Sequence, residues 1–334
     1  MKLTKKVLAL AIVVALTISG ITGCKREVAV VDNSEVVMVV NGTDVTMGVA
    51  NFFVRWQQSM VESMYVSYMG ENAWTLEMED GVTYEQDMKD RLLEELQRMY
   101  IVTQHAEEYK VALSDQDVKD IEAAAASFVE ENKDDAKKAV SGDKDIIVAY
   151  LKLLTLDKKM TDAIKAKADT NVTDKEAAQK KMAYAEFDKK EDAEAFLKNA
   201  KQNGNLEAYG KDKGTATKTL TFDAKNTSLD EAVIKAADAL KLNGFSEVVK
   251  GKDKYYVMQL TSEFDADATK TRKEALVEEK KVEFYDKTVE DWKNNAEITV
   301  HKEVWNKISL DGLKISVIQD EKKEETTDKT EEKK

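Results

Sequence analysis

Over the first half of the chain, apolar residues recur at spacings of three and four, the period of a helix with one buried face. Val49, Phe53, Trp56, Met60, Met64 and Tyr68 form one such stripe, and Met88, Leu92, Leu96, Met99 and Thr103 form another on a helix expected from about 84 to 109. Ser114-Asp115-Gln116-Asp117 opens a third helix, because a serine cap and early carboxylates satisfy the free N–H groups and positive end of the dipole. A fourth helix is expected at about 143–168, with Ile147, Tyr150, Leu154 and Met160 in its stripe. One β-branched run precedes them all: Val36 to Val40, stopped by the turn signal Asn41-Gly42.

After Asn171 the period shortens. Strands are expected at 182–187, 217–222, 245–249 and 255–261, and helices at 191–202 and 228–240, as in one small α+β domain. A charged helix at about 268–294 then carries Val282, Tyr285, Val289 and Trp292, and 297–301 is a last strand placed to pair with Val36 to Val40. The expected fold class is therefore α+β. A mainly helical module is drawn from both chain ends, 36–170 and 265–310, and a smaller domain at 171–264 is inserted in it. Residues 311–334 are expected to be a charged, disordered tail, because 319–334 contain no apolar residue.

The N-terminus has a different grammar. Lys2, Lys5 and Lys6 precede an apolar run from Val7 to Leu16, and small residues lead up to Cys24, the only cysteine. This is the plan of an export signal, and the polar interruptions after Leu16 leave the run short of the ~20 residues a spanning helix needs. Ile21-Thr22-Gly23-Cys24 resembles a bacterial lipobox, which implies a signal peptide at 1–23, lipidation of Cys24 and a tether at 24–35.

Composition narrows the chemistry. With a net charge of -13 and a pI near 5.0, the chain lacks the basic face that nucleic-acid phosphates require. His105 and His301, the two histidines, have no partner at metal-ligand spacing, so neither a metal nor a cofactor is expected. Seven of the twelve methionines fall between Met47 and Met99, and Met69, Trp74 and Met78, in or near a loop, are the candidates for contact with varied apolar partners. Proline is absent, so the chain folds without any X-Pro isomerisation.

VVMVVNGTDVT (36–46), DGVTYEQ (80–86) and LSDQDV (113–118) resemble the opening of the SurA/PrsA family of extracytoplasmic foldases. AADALKLNGFSEVVKGKDKYYVMQL (236–260) resembles the second half of a parvulin-type peptidyl-prolyl isomerase domain. The resemblance implies a lipid-anchored chaperone on the extracytoplasmic face of the cell membrane, able to form a homodimer, with unfolded exported polypeptides as partners held between module and domain. It also implies a proline pocket, which falls here on Phe222, Leu229, Val233 and Tyr256. The family's two histidine positions fall on Ala185 and Tyr256, and a pocket Phe is replaced by Asp238, so the domain is expected to be weak or inactive. An active isomerase and a solute-binding or scaffold lipoprotein remain as alternatives.

Overall fold

The structure is a computed structural model that describes residues 16–19, 31–69, 73–78 and 81–317. It is α+β and divides into two compact units, one made of the chain up to Lys167 together with Tyr285 onward, the other of Ala168–Phe284. Cys24 and the residues beyond 317 lie outside the described residues.

The first unit begins with a hairpin. Strands β2 (Val36–Val40) and β3 (Thr43–Thr46) are joined by Asn41 and Gly42 at φ 47° and 76°, the left-handed pair that a two-residue turn demands. Strand β8 (Ile298–Val300) pairs antiparallel on the other side of β2, with Met38 opposite Val300 and Val40 opposite Ile298. Asn41 locks this join, donating its N–H to the Glu297 carbonyl and accepting the Glu297 N–H on Oδ1, both at 2.8 Å.

Helices α1 (Met47–Met69), α2 (Tyr84–Gln104), α3 (Asp115–Glu131), α4 (Asp134–Ala139) and α5 (Lys144–Lys165) enclose the core. Its centre is Phe52, set edge-on at 5.5 Å to both Phe128 and Tyr150. The expected cap of α3 is present as a reciprocal box between Ser114 and Asp117. The stripe on α1 departs from expectation. Residues 49–55 are buried on every side, whereas Met60 and Met64 are 41% and 60% exposed. Beyond Trp56 the buried face passes to polar residues, Gln58, Ser59 and Glu62, which leaves Met60 and Met64 facing outward.

After β8 the chain forms α11 (Lys302–Trp305) and β9 (Lys314–Val317). Trp305, Ile308, Leu310, Leu313 and Ile315 are buried, so the tail expected from 311 is part of the fold as far as 317. Strand β1 (Leu16–Ser19), inside the stretch read as a signal, pairs antiparallel with β9.

In the second unit, α6 (Asp174–Ala177) leads into a four-stranded antiparallel sheet of order β5-β4-β7-β6: β4 (Lys180–Phe187), β5 (Lys218–Phe222), β6 (Val249–Lys250) and β7 (Tyr255–Ser262). Helices α7 (Lys190–Asn203) and α8 (Leu206–Lys213) cover one face, α9 (Glu231–Asp238) the other. The expected strand at 245–249 is reduced to a bridge at Phe245 and the short β6. Helix α10 (Ala266–Asn295) carries the chain back to the first unit; Val282 on its stripe is 43% exposed, whereas Val289 is 8% exposed.

Candidate functional site

The register of β4 against β7 decides which residues of the second unit share a surface. Residues directly opposite in an antiparallel pair lie on the same face, and neighbours along a strand lie on opposite faces. Glu186 is opposite Tyr256, Tyr184 opposite Met258, and Ala185 opposite Val257. Met182, Tyr184, Glu186, Tyr256 and Met258 therefore share one face, while Ala183, Ala185 and Val257 lie beneath α7 and α8 on the other.

Ala185 thus does not share a face with Tyr256. The face-mate of Tyr256 is Tyr184, with ring centres 6.3 Å apart. Both rings are largely buried, at 8% exposure each. Burial raises the Tyr184 phenol above its ordinary value, and burial followed by the charges of Glu186 and Asp230 raises that of Tyr256. Lys218 pairs with Glu186 at 2.9 Å and lies 5.9 Å from the centre of the Tyr184 ring. Both phenols stay neutral beside this ion pair, and neither is a base at neutral pH.

The four pocket candidates separate. Phe222 and Val233 are fully buried, Val233 on α9 and Phe222 in the core that α9 covers. Leu229 and Tyr256 line a cavity of about 860 Å³, together with Asn226, Asp230, Ile234 and Lys254. Gly251 shapes its wall: a Cβ there would meet the Asp230 carboxylate at 2.2 Å and the Tyr256 ring at 2.7 Å, so only glycine lets Asp230 accept the Lys252 N–H at 2.8 Å. Asp238 lies away from this wall and pairs with Lys180 at 2.9 Å, which removes the cost expected for a carboxylate in an apolar setting.

The loop candidates fare unequally. Trp74 is 7% exposed, stacks on Tyr84 at 5.2 Å and donates its indole N–H to Glu62, so it is a packing residue and not a contact surface. Met78 is 45% exposed; the side chain of Met69 lies outside the described residues. Exposed Met60, Met64, Leu76 and Val82 went unnoticed in the sequence as surface residues, since Met60 and Met64 continue a buried stripe. His105 stacks on Trp292 at 3.9 Å, and His301 Nδ1 lies 3.0 Å from the Val36 carbonyl; both histidines belong to the first unit. No cluster of three or more potential metal ligands occurs among the described residues, and none of their helices is long and apolar enough to cross a membrane.

The PPIC-type PPIASE domain family matches residues 170–275. Foldase protein PrsA of Clostridium botulinum is 24% identical over 267 residues, covering 67% of this chain and 76% of its own length. Foldase protein PrsA 2 of Streptococcus pyogenes serotype M1 is 31% identical over 131 residues, or 34% of this chain and 42% of that protein, less than half its length. Among solved structures, PrsA from Lactococcus lactis covers 81% of this chain and 97% of its own at 15% identity, with a TM-score of 0.36. The sheet and helices of the second unit are thus a parvulin-type domain. The chain that carries it is similar to the PrsA foldases over two thirds of its length.

Proposed function

We propose that the protein is a chaperone-foldase for exported polypeptides, anchored outside the cytoplasm by lipid on Cys24, and that its parvulin unit binds chains without accelerating prolyl isomerisation. The foldase relatives support the chaperone reading. The observation that carries the second half is the pair Tyr184 and Tyr256: both phenols are held neutral on the face where the family resemblance calls for paired imidazoles, and the unit 168–284 contains no histidine. A twisting amide has a barrier of roughly 20 kcal/mol, and a site without a titrating group near neutrality offers only desolvation and hydrogen bonds to lower it.

The cavity beside Leu229, Ile234 and Tyr256 supports a role in peptide binding, since its lining combines these apolar surfaces with the charged Asp230, Lys252 and Lys254. The same cavity is the feature that favours an active isomerase as the second reading. A protease-coupled assay on a prolyl tetrapeptide with residues 24–334 separates the two. The expected result is no rate above the uncatalysed one; acceleration that disappears in Tyr256→Ala would establish the isomerase.

A further inference from the structure

We infer that β9 is a strand-addition site for extended, unfolded chain with apolar residues at alternate positions. Its inner side is fixed by α1. The Ile315 N–H donates to Glu62 Oε2 at 2.5 Å, and Gln58 Nε2 donates to the carbonyls of Leu313 at 2.7 Å and Leu310 at 3.0 Å. Leu313 and Ile315 are buried there. The strand is therefore held on its inner side by a helix.

Its outer edge is what Leu16–Ser19 occupies, over four residues in register: Leu16 opposite Val317, Thr17 opposite Ser316, Ile18 opposite Ile315, and Ser19 opposite Lys314. Successive residues of a strand aim their N–H and C=O groups at opposite edges. With the Ile315 N–H aimed at Glu62, the backbone groups of Ser316 face Thr17. Positions 16 and 18 lie opposite 317 and 315, and 17 and 19 opposite 316 and 314, so apolar and polar residue types alternate along the partner strand. The edge thus accepts an alternating apolar and polar segment, taking affinity from the main chain and selection from every second residue.

Leu16–Ser19 belong to the leader that, on the reading above, is cut at Cys24, and the cut removes β9's partner strand. The identity of the new occupant rests on the foldase reading: an unfolded exported chain supplies such segments. The chain's own residues 319–334, which carry no apolar residue, do not fit the pattern.

The test is fluorescence anisotropy with a labelled peptide of residues 15–20, Ala-Leu-Thr-Ile-Ser-Gly, titrated with residues 24–334. Saturable binding is expected. Loss of one main-chain pair should weaken it about tenfold, whether by Thr17→Pro in the peptide or by Ser316→Pro in the protein. The chain 1–334, which keeps its leader, should bind weakly or not at all. An unchanged thermal melt followed by tryptophan fluorescence confirms that Ser316→Pro is folded. Absence of binding by 24–334, or binding indifferent to both prolines and to the leader, overturns the inference. Self-association abolished by Ser316→Pro, without peptide binding, assigns the edge to a second copy and overturns the stated occupant. Peptide binding without any suppression of client aggregation overturns the foldase reading and leaves the site standing. A native protein whose N-terminal mass retains residues 1–23 overturns the leader reading and with it the vacated edge.

Discussion

A carboxylate only 5% exposed requires donors at both oxygens, and Glu62 has them: Gln58 at 2.8 Å and the Trp74 indole at 2.9 Å on Oε1, the Ile315 N–H at 2.5 Å on Oε2. Arg55 lies beside it, donating to Gln58 at 2.7 Å; burial lowers this guanidinium to about 10, against the pull of Glu62 and Glu85. Burial also raises Glu62 above its ordinary 4.5, more than its donors lower it. A raised folded-state value means stability that is present below 4.5 and lost as pH climbs through the raised value. Glu62→Gln turns one acceptor into a donor facing donors, so it should cost about 1–3 kcal/mol in urea unfolding at neutral pH. The wild-type margin over this variant should widen as pH falls toward 4.5; a narrowing margin would contradict the assignment. Neither the role of Trp74 nor this clamp was legible in sequence. An indole in a short turn carries no period, and the Ile315 donor to Glu62 lies 253 positions away.

Among elements, the return of the C-terminal helix is the join most open to test. Arg98 on α2 is bidentate to Asp157 at 2.8–2.9 Å and donates to the Tyr285 hydroxyl of α10 at 2.5 Å. Asp157 is 10% exposed, so Arg98→Ala leaves a buried carboxylate without its cation and should cost about 3–5 kcal/mol; Arg98→Ala with Asp157→Leu should recover much of that. The β2–β8 pair is the second join. The His301 N–H donates to Val37 and the Asn41 N–H to Glu297, which by alternation aims the Thr299 N–H at Val39. Thr299→Pro should then cost about 3 kcal/mol or more, read by the fluorescence of Trp56, Trp74, Trp292 and Trp305, all of which lie in the first unit. Strand β3, with Val45 its one apolar residue, gave no strand signal, whereas the turn signal at Asn41-Gly42 and the β-branched run made β2 and its turn readable, and most helices were readable from their stripes. The face assignment of β4 was not. Met182 through Ala185 are all buried, because this central strand is covered on both sides, and the alternation that would separate Tyr184 from Ala185 is erased. Short α8, with Gly210 inside it, gave no apolar stripe.

At the scale of the molecule, the chain joins a helical unit closed by its own C-terminal segment to a parvulin-type unit in which Tyr184 and Tyr256 share one face of the sheet. The acidic surface and exposed Met60, Met64, Leu76 and Met78 suit broad, weak capture of apolar segments over recognition of one ligand. Such capture needs no nucleotide or metal, and its strength should rise with apolar area. The decisive measurement is the refolding of a client whose slow phase is limited by a trans-to-cis prolyl bond, followed with residues 24–334 at ratios from a tenth to several equivalents. The account predicts that light scattering falls as the ratio approaches one while the rate of the slow phase is unchanged. Acceleration of that phase at a tenth of an equivalent, with scattering unaffected, would contradict it.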